Sequence, residues 1–102
     1  MSLKMVSPKK VHRCAIDKGW WNEGRSIPEL LCLIHSEVSE ALEAYRNNIP
    51  EGDKGCMSEE LADIIIRVFD MSEKLGLNIV EAVNKKYDFN LTRPYRHGGK
   101  LA

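Results

Sequence analysis

The sequence predicts an all-α fold, a four-helix unit in one domain completed by oligomerisation. Three observations carry that expectation. Apolar residues recur at the three-and-four spacing of helices. A capping residue stands ahead of each of four such stretches. No stretch alternates apolar and polar residues as a half-buried strand does. With 102 residues the chain has the length of a single domain, read here as 1–102 with a core over about 8–93 and a basic tail over 94–102.

Each element has its own punctuation. Ser7-Pro8 opens a first helix, with Ser as cap and Pro in the first turn, predicted to run from Pro8 to Lys18 and stop at Gly19. Trp20 to Arg25 form a connection with two large aromatics. Ser26 caps a second helix, with Pro28 near its start, which continues to about Arg46 and ends in Asn47-Asn48. Pro50, Gly52 and Gly55 make the next stretch a loop. Ser58 is expected to cap a third helix from Glu59 to about Leu75, with Gly76 as its stop. Asn78 caps a fourth helix, with Glu81 in capping-box position, reaching Asn90 or beyond before Pro94.

Charge and composition narrow the function classes. Fifteen basic and fifteen acidic residues cancel, which argues against a general nucleic-acid or membrane-surface binder. Cys14, Cys32 and Cys56 are widely spaced, contain no Cys-x-x-Cys pair, and read as free thiols of a reducing compartment. No signal-peptide core or apolar run of about 20 residues is present, so a cytoplasmic protein is expected.

Two acidic pairs stand out. Glu37 and Glu40 lie three apart on the second helix, and Glu60 and Asp63 three apart on the third, so each pair shares a helix face. At about 100° per residue, Ile27, Leu30, Leu31, Ile34, Val38, Ala41, Leu42 and Tyr45 form the apolar stripe of helix two. Met57, Leu61, Ile64, Ile65, Val68, Met71 and Leu75 form that of helix three. Glu37 and Glu60 both fall roughly 70–80° from the stripe centre, with Glu40 and Asp63 about 60° further round. Antiparallel neighbours would bring the four acids to one border of a shared core. Ionised carboxylates at close range repel, so such a cluster calls for bound protons or cations. All-oxygen ligands favour Mg²⁺ or Mn²⁺. The plain alternative is ordinary solvated helix charge. A ferritin-like di-iron bundle requires Glu-x-x-His, and neither pair contains histidine.

Glu-Val-Ser-Glu (37–40) followed by Ala-Leu-Glu-Ala-Tyr-Arg, together with Glu-Glu-Leu-Ala-Asp-Ile-Ile-Ile-Arg (59–67), resembles the all-α NTP pyrophosphohydrolase superfamily in its MazG-like branch. The ending Arg93-Pro94-Tyr95-Arg96-His97-Gly98-Gly99-Lys100 is similar to the tails of small members of that branch. The resemblance spans roughly residues 8–100. It implies Mg²⁺ on Glu37, Glu40, Glu60 and Asp63, hydrolysis of an NTP or dNTP to monophosphate and pyrophosphate, a role in clearing surplus or non-standard nucleotides, and assembly as homodimer or homotetramer. Glu37 or Glu40 would orient or deprotonate the attacking water. Lys86 and Asn90, one turn apart, resemble the family's substrate-contacting positions, and Arg93 extends that basic group. Trp20 and Trp21 are candidates for stacking on the base, with core or interface packing as the alternative. His35 reads as a packed structural histidine, and Asp70 as structural or solvent-facing. Rival functions are a phosphoribosyl-ATP pyrophosphohydrolase of the same superfamily and a non-catalytic helical binding module.

Self-association has a sequence argument of its own. Ala62, Ile66 and Phe69 lie opposite the helix-three stripe, so that helix is apolar on two sides. A second subunit is the expected cover, with helix one or four as the alternative.

Overall fold

The computed structural model describes residues 3–95. Arg96, His97, Gly98, Gly99 and Lys100, named above for the tail, lie outside the described residues. Among the described residues there are four helices and no strand: α1 Pro8–Asp17, α2 Ile27–Arg46, α3 Met57–Lys74 and α4 Ile79–Leu91. No helix among them is long and apolar enough to cross a membrane.

Local chemistry accounts for the boundaries. Ser7 Oγ accepts from Lys10 N at 3.1 Å and Ser26 Oγ from Glu29 N at 3.2 Å, each satisfying an orphan amide of the first turn. Asn78 Oδ1 accepts from Glu81 N at 3.1 Å, while its Nδ2 donates to Glu81 Oε2 at 3.3 Å. The helix starts at α1, α2 and α4 therefore fall where expected. The start of α3 does not. Cys56 occupies the cap position and offers no capping oxygen, and Ser58 is already inside the first turn. The acceptor comes from the preceding loop: Glu51 Oε1 takes the Ser58 N–H at 3.2 Å. Gly19 at φ 87° and Gly76 at φ 72° provide the left-handed residues that end α1 and α3.

α3 is the centre of the packing. α2 and α1 each lie along it, while α4 packs on it only sparsely. α2 buries Leu30, Glu37, Ala41 and Ala44, residues spaced seven, four and three apart and so on one face. Leu30 and Ala41 belong to the expected core stripe, while Glu37 and Ala44 lie beyond it and much of the rest of the stripe stays outside the packing. Ile27, Leu31, Val38, Leu42 and Tyr45 are exposed, Tyr45 at 67%, as are Met57, Leu61 and Ile65 of α3. Ile66, assigned above to the side awaiting a partner, is still 45% exposed and lines the cleft beside α1. Small side chains account for the shift, because Ala41 and Ala44 permit a closer helix approach than the large residues of the stripe. His35, expected to be packed, is exposed.

Candidate metal centre

The packed face of α2 carries Glu37 against α3. Glu37 is 7% exposed, and its Oε1 accepts from Arg67 Nε at 2.7 Å. Arg67 lies four residues after Asp63, so one face of α3 presents both the acid and the cation to α2. Glu60, one turn earlier, completes the group. One carboxylate oxygen from each of Glu37, Glu60 and Asp63 lies within 4.8 Å of the others.

The electrostatics of this group are unfavourable without a cation. Loss of solvent holds the Glu60 carboxyl above its usual range, and a hydrogen bond with Glu40 and the charges of Glu40, Asp63 and Glu37 push it the same way. Asp63 is raised as well, first by desolvation and then by Glu37, Glu59 and Glu40, against the opposing pull of Arg67. Glu40 itself is exposed and outside the closest group of three, yet it acts directly on Glu60. Two oxygens, Glu37 Oε2 and Glu60 Oε2, are enclosed and have no hydrogen-bond partner. A buried carboxylate oxygen without a donor is costly. Two of them beside a third carboxylate fit a hard, oxygen-seeking divalent cation such as Mg²⁺ or Mn²⁺.

A shell of aromatic and basic groups adjoins the acids. Trp20 lies between two guanidinium groups, Arg25 at 3.7 Å and Arg67 at 4.7 Å from its ring centroid. Trp21 turns away onto Asp70, donating Nε1–H to Oδ1 at 3.0 Å, and Lys74 covers its ring at 5.3 Å. His12 Nδ1 donates to the same Asp70 oxygen at 2.6 Å and meets Trp21 edge-on. Asp70, 7% exposed, thus pins α1 and the tryptophan connection to α3. No motif marks His12 or Arg67 as part of the site. For Arg67 the spacing was the available signal, since Asp63, Arg67 and Asp70 fall four and three apart on one face.

Of the residues singled out for substrate, Trp20 shares a cleft with Glu37 and Asp63, whereas Trp21 does not line it. Lys86 and Asn90 on α4, and Arg93 beyond it, are exposed and do not line that cleft either. Lys86 and Arg93 instead sit over Phe89, at 4.9 and 5.8 Å from the ring centroid. The chain matches none of the protein-family models, curated proteins or solved structures with which it was compared.

Proposed function

We propose that this protein is a Mg²⁺-dependent nucleotide pyrophosphohydrolase, converting an NTP or dNTP and water to the monophosphate and pyrophosphate. The observation that carries the reading is the convergence of Glu37, Glu60 and Asp63 from two helices, with two enclosed oxygens that have no donor. These three acids would hold the cation, with Glu40 beside Glu60. When bound, Mg²⁺ supplies charge neutralisation for the phosphates and a more acidic water.

The chain's own groups divide the remaining work. Arg67 fixes the Glu37 carboxylate through Oε1, and the enclosed Oε2, without a donor, would serve the cation. That fixed and buried role makes Glu37 a holder rather than a proton acceptor. Glu40 is exposed and lies beside Glu60, so its carboxylate is the group suited to take the proton of the attacking water. Mn²⁺ is the expected substitute ion.

The exposed faces of α2 and α3 support self-association as homodimer or homotetramer, and the nucleotide site in the assembly draws on residues of both copies. Lys86, Asn90 and Arg93 do not line the cleft of the acids and would reach a nucleotide site across such an interface.

The test is product analysis on purified protein across NTPs and dNTPs, with and without Mg²⁺. Equal amounts of nucleoside monophosphate and pyrophosphate, abolished by chelator and by Glu60→Gln with helicity retained, are expected. Diphosphate and orthophosphate as products, or release that persists in Glu60→Gln, would contradict the reading.

A further inference from the structure

A cleft of about 560 Å³ opens between α1 and α3, within the range of small-molecule sites. Its two ends differ in charge. Glu37, Asp63 and Asp70 line it from α2 and α3, with Arg67 among them and Asp70 already held by His12 and Trp21, and Lys10 and Lys18 line it from the α1 side. Val11, Ala15 and Ile66 give it an apolar wall. Lys10, Cys14 and Lys18 are four residues apart in turn, so the two ammonium groups frame Cys14 along one face of α1. The surrounding helix is basic, with Lys9 and Arg13 beside Asp17 as its one acid.

Several basic side chains elsewhere are already engaged. Lys85 pairs with Glu81 at 2.7 Å, Arg25 with Glu29 at 3.0 Å, and Lys86 and Arg93 cover Phe89. No ion pair involves Lys10 or Lys18 among the described residues. A ligand matching this cleft is anionic along its length and carries a divalent cation at one end.

From this arrangement we infer that the α1–α3 cleft seats the polyphosphate of the substrate, with Lys10 and Lys18 binding the phosphate oxygens remote from the cation held by Glu37, Glu60 and Asp63. The inference rests on the proposed reaction for its biological meaning, but the seat is a binding claim with its own readout. It assigns phosphate contact to α1, in place of Lys86 and Arg93. Lysine suits this role as a mobile point charge that follows a flexible phosphate chain.

Cys14 lies in the cleft and is exposed, Cys32 is exposed elsewhere, and Cys56 is buried. In a Cys32→Ser background, maleimide alkylation therefore reads the occupancy of the cleft at Cys14. The probe is inorganic tripolyphosphate with Mg²⁺, compared with Mg²⁺ alone. Tripolyphosphate is expected to slow Cys14 alkylation strongly. Lys10→Gln with Lys18→Gln is expected to raise its half-protecting concentration by about tenfold, and to raise KM for the nucleotide with kcat little changed. Lys54→Ala with Lys85→Ala should match the parent. Alkylation of Cys14 unaffected by saturating tripolyphosphate overturns the seat, as does loss of protection in Lys86→Ala with Arg93→Ala but not in the α1 pair. Nucleotide hydrolysis without protection leaves the proposed reaction standing and removes the seat. Protection without any hydrolysis keeps the seat and removes the reaction.

Discussion

Arg67 joins three features: it holds Glu37, adjoins the acids and covers one face of Trp20. Arg67→Ala leaves the Glu37 carboxylate enclosed with no donor, and a destabilisation of about 1–3 kcal/mol is expected. For a domain of this size each kcal/mol lowers Tm by roughly 4–8 °C, so thermal unfolding followed by circular dichroism reads it directly. Mg²⁺ should recover more of the loss in this variant than it adds to the parent, because the cation supplies the missing positive charge. Acidity gives a second prediction. Glu60 and Asp63 both hold their protons to higher pH in the folded chain than when unfolded. Between the ordinary and raised values the native state binds more protons, so metal-free stability falls as pH rises through that window. Mg²⁺ must displace those protons, so its affinity should rise over the same window and flatten the stability loss. Melting curves at stepped pH, with Mg²⁺ and with chelator, check the sign; a metal-free protein that gains stability across the window contradicts the cluster as described.

At the scale of elements, the clearest expectation concerns caps. Asn78→Ala removes the acceptor for Glu81 N and should cost about 1 kcal/mol, with fraying confined to α4 in amide exchange. Helix starts at Ser26 and Asn78 were legible because a cap is a local bond between residues three apart. The α3 start was not, since its acceptor, Glu51, comes from a loop seven residues before Ser58. The acidic pairs were legible from spacing, and the convergence of Glu37, Glu60 and Asp63 follows from α2 lying along α3. The packed face keeps Leu30 and Ala41 of the expected stripe but lies to one side of it, because a helical wheel weighs hydrophobicity and gives little weight to Ala44 or to the buried Glu37–Arg67 pair. Glu37, Ala41 and Ala44 define the contact, and the larger apolar residues are left outside.

Those outer residues matter at the scale of the molecule. No large side chain is fully buried among the described residues, and the buried apolar set is limited to Val11, Leu30, Ala41, Ala44 and Cys56. The chain exposes 8295 Å², against roughly 5,800 Å² for a compact monomer of 11.6 kDa. Its radius of gyration is 16.3 Å, where about 13 Å is usual at this length. A single copy is thus open and thinly cored, which is the basis for proposing a second copy on the α2–α3 apolar faces. Leu31→Ser with Leu42→Ser should reduce the mass seen in sedimentation equilibrium to that of one chain. If both residues stay in water, the double change alters neither mass nor stability beyond about 0.5 kcal/mol.

Direct titration of the ion tests the centre of the account. Free Mn²⁺ has a paramagnetic resonance signal that weakens when the ion is bound. The parent protein should take up Mn²⁺ and release it to excess Mg²⁺. Glu60→Gln and Asp63→Asn should lose that uptake, while Glu43→Gln, an exposed acid on the same helix as Glu37, should retain it. Uptake that is equal in all four proteins, or absent from the parent, would contradict a cation site built from these two helices.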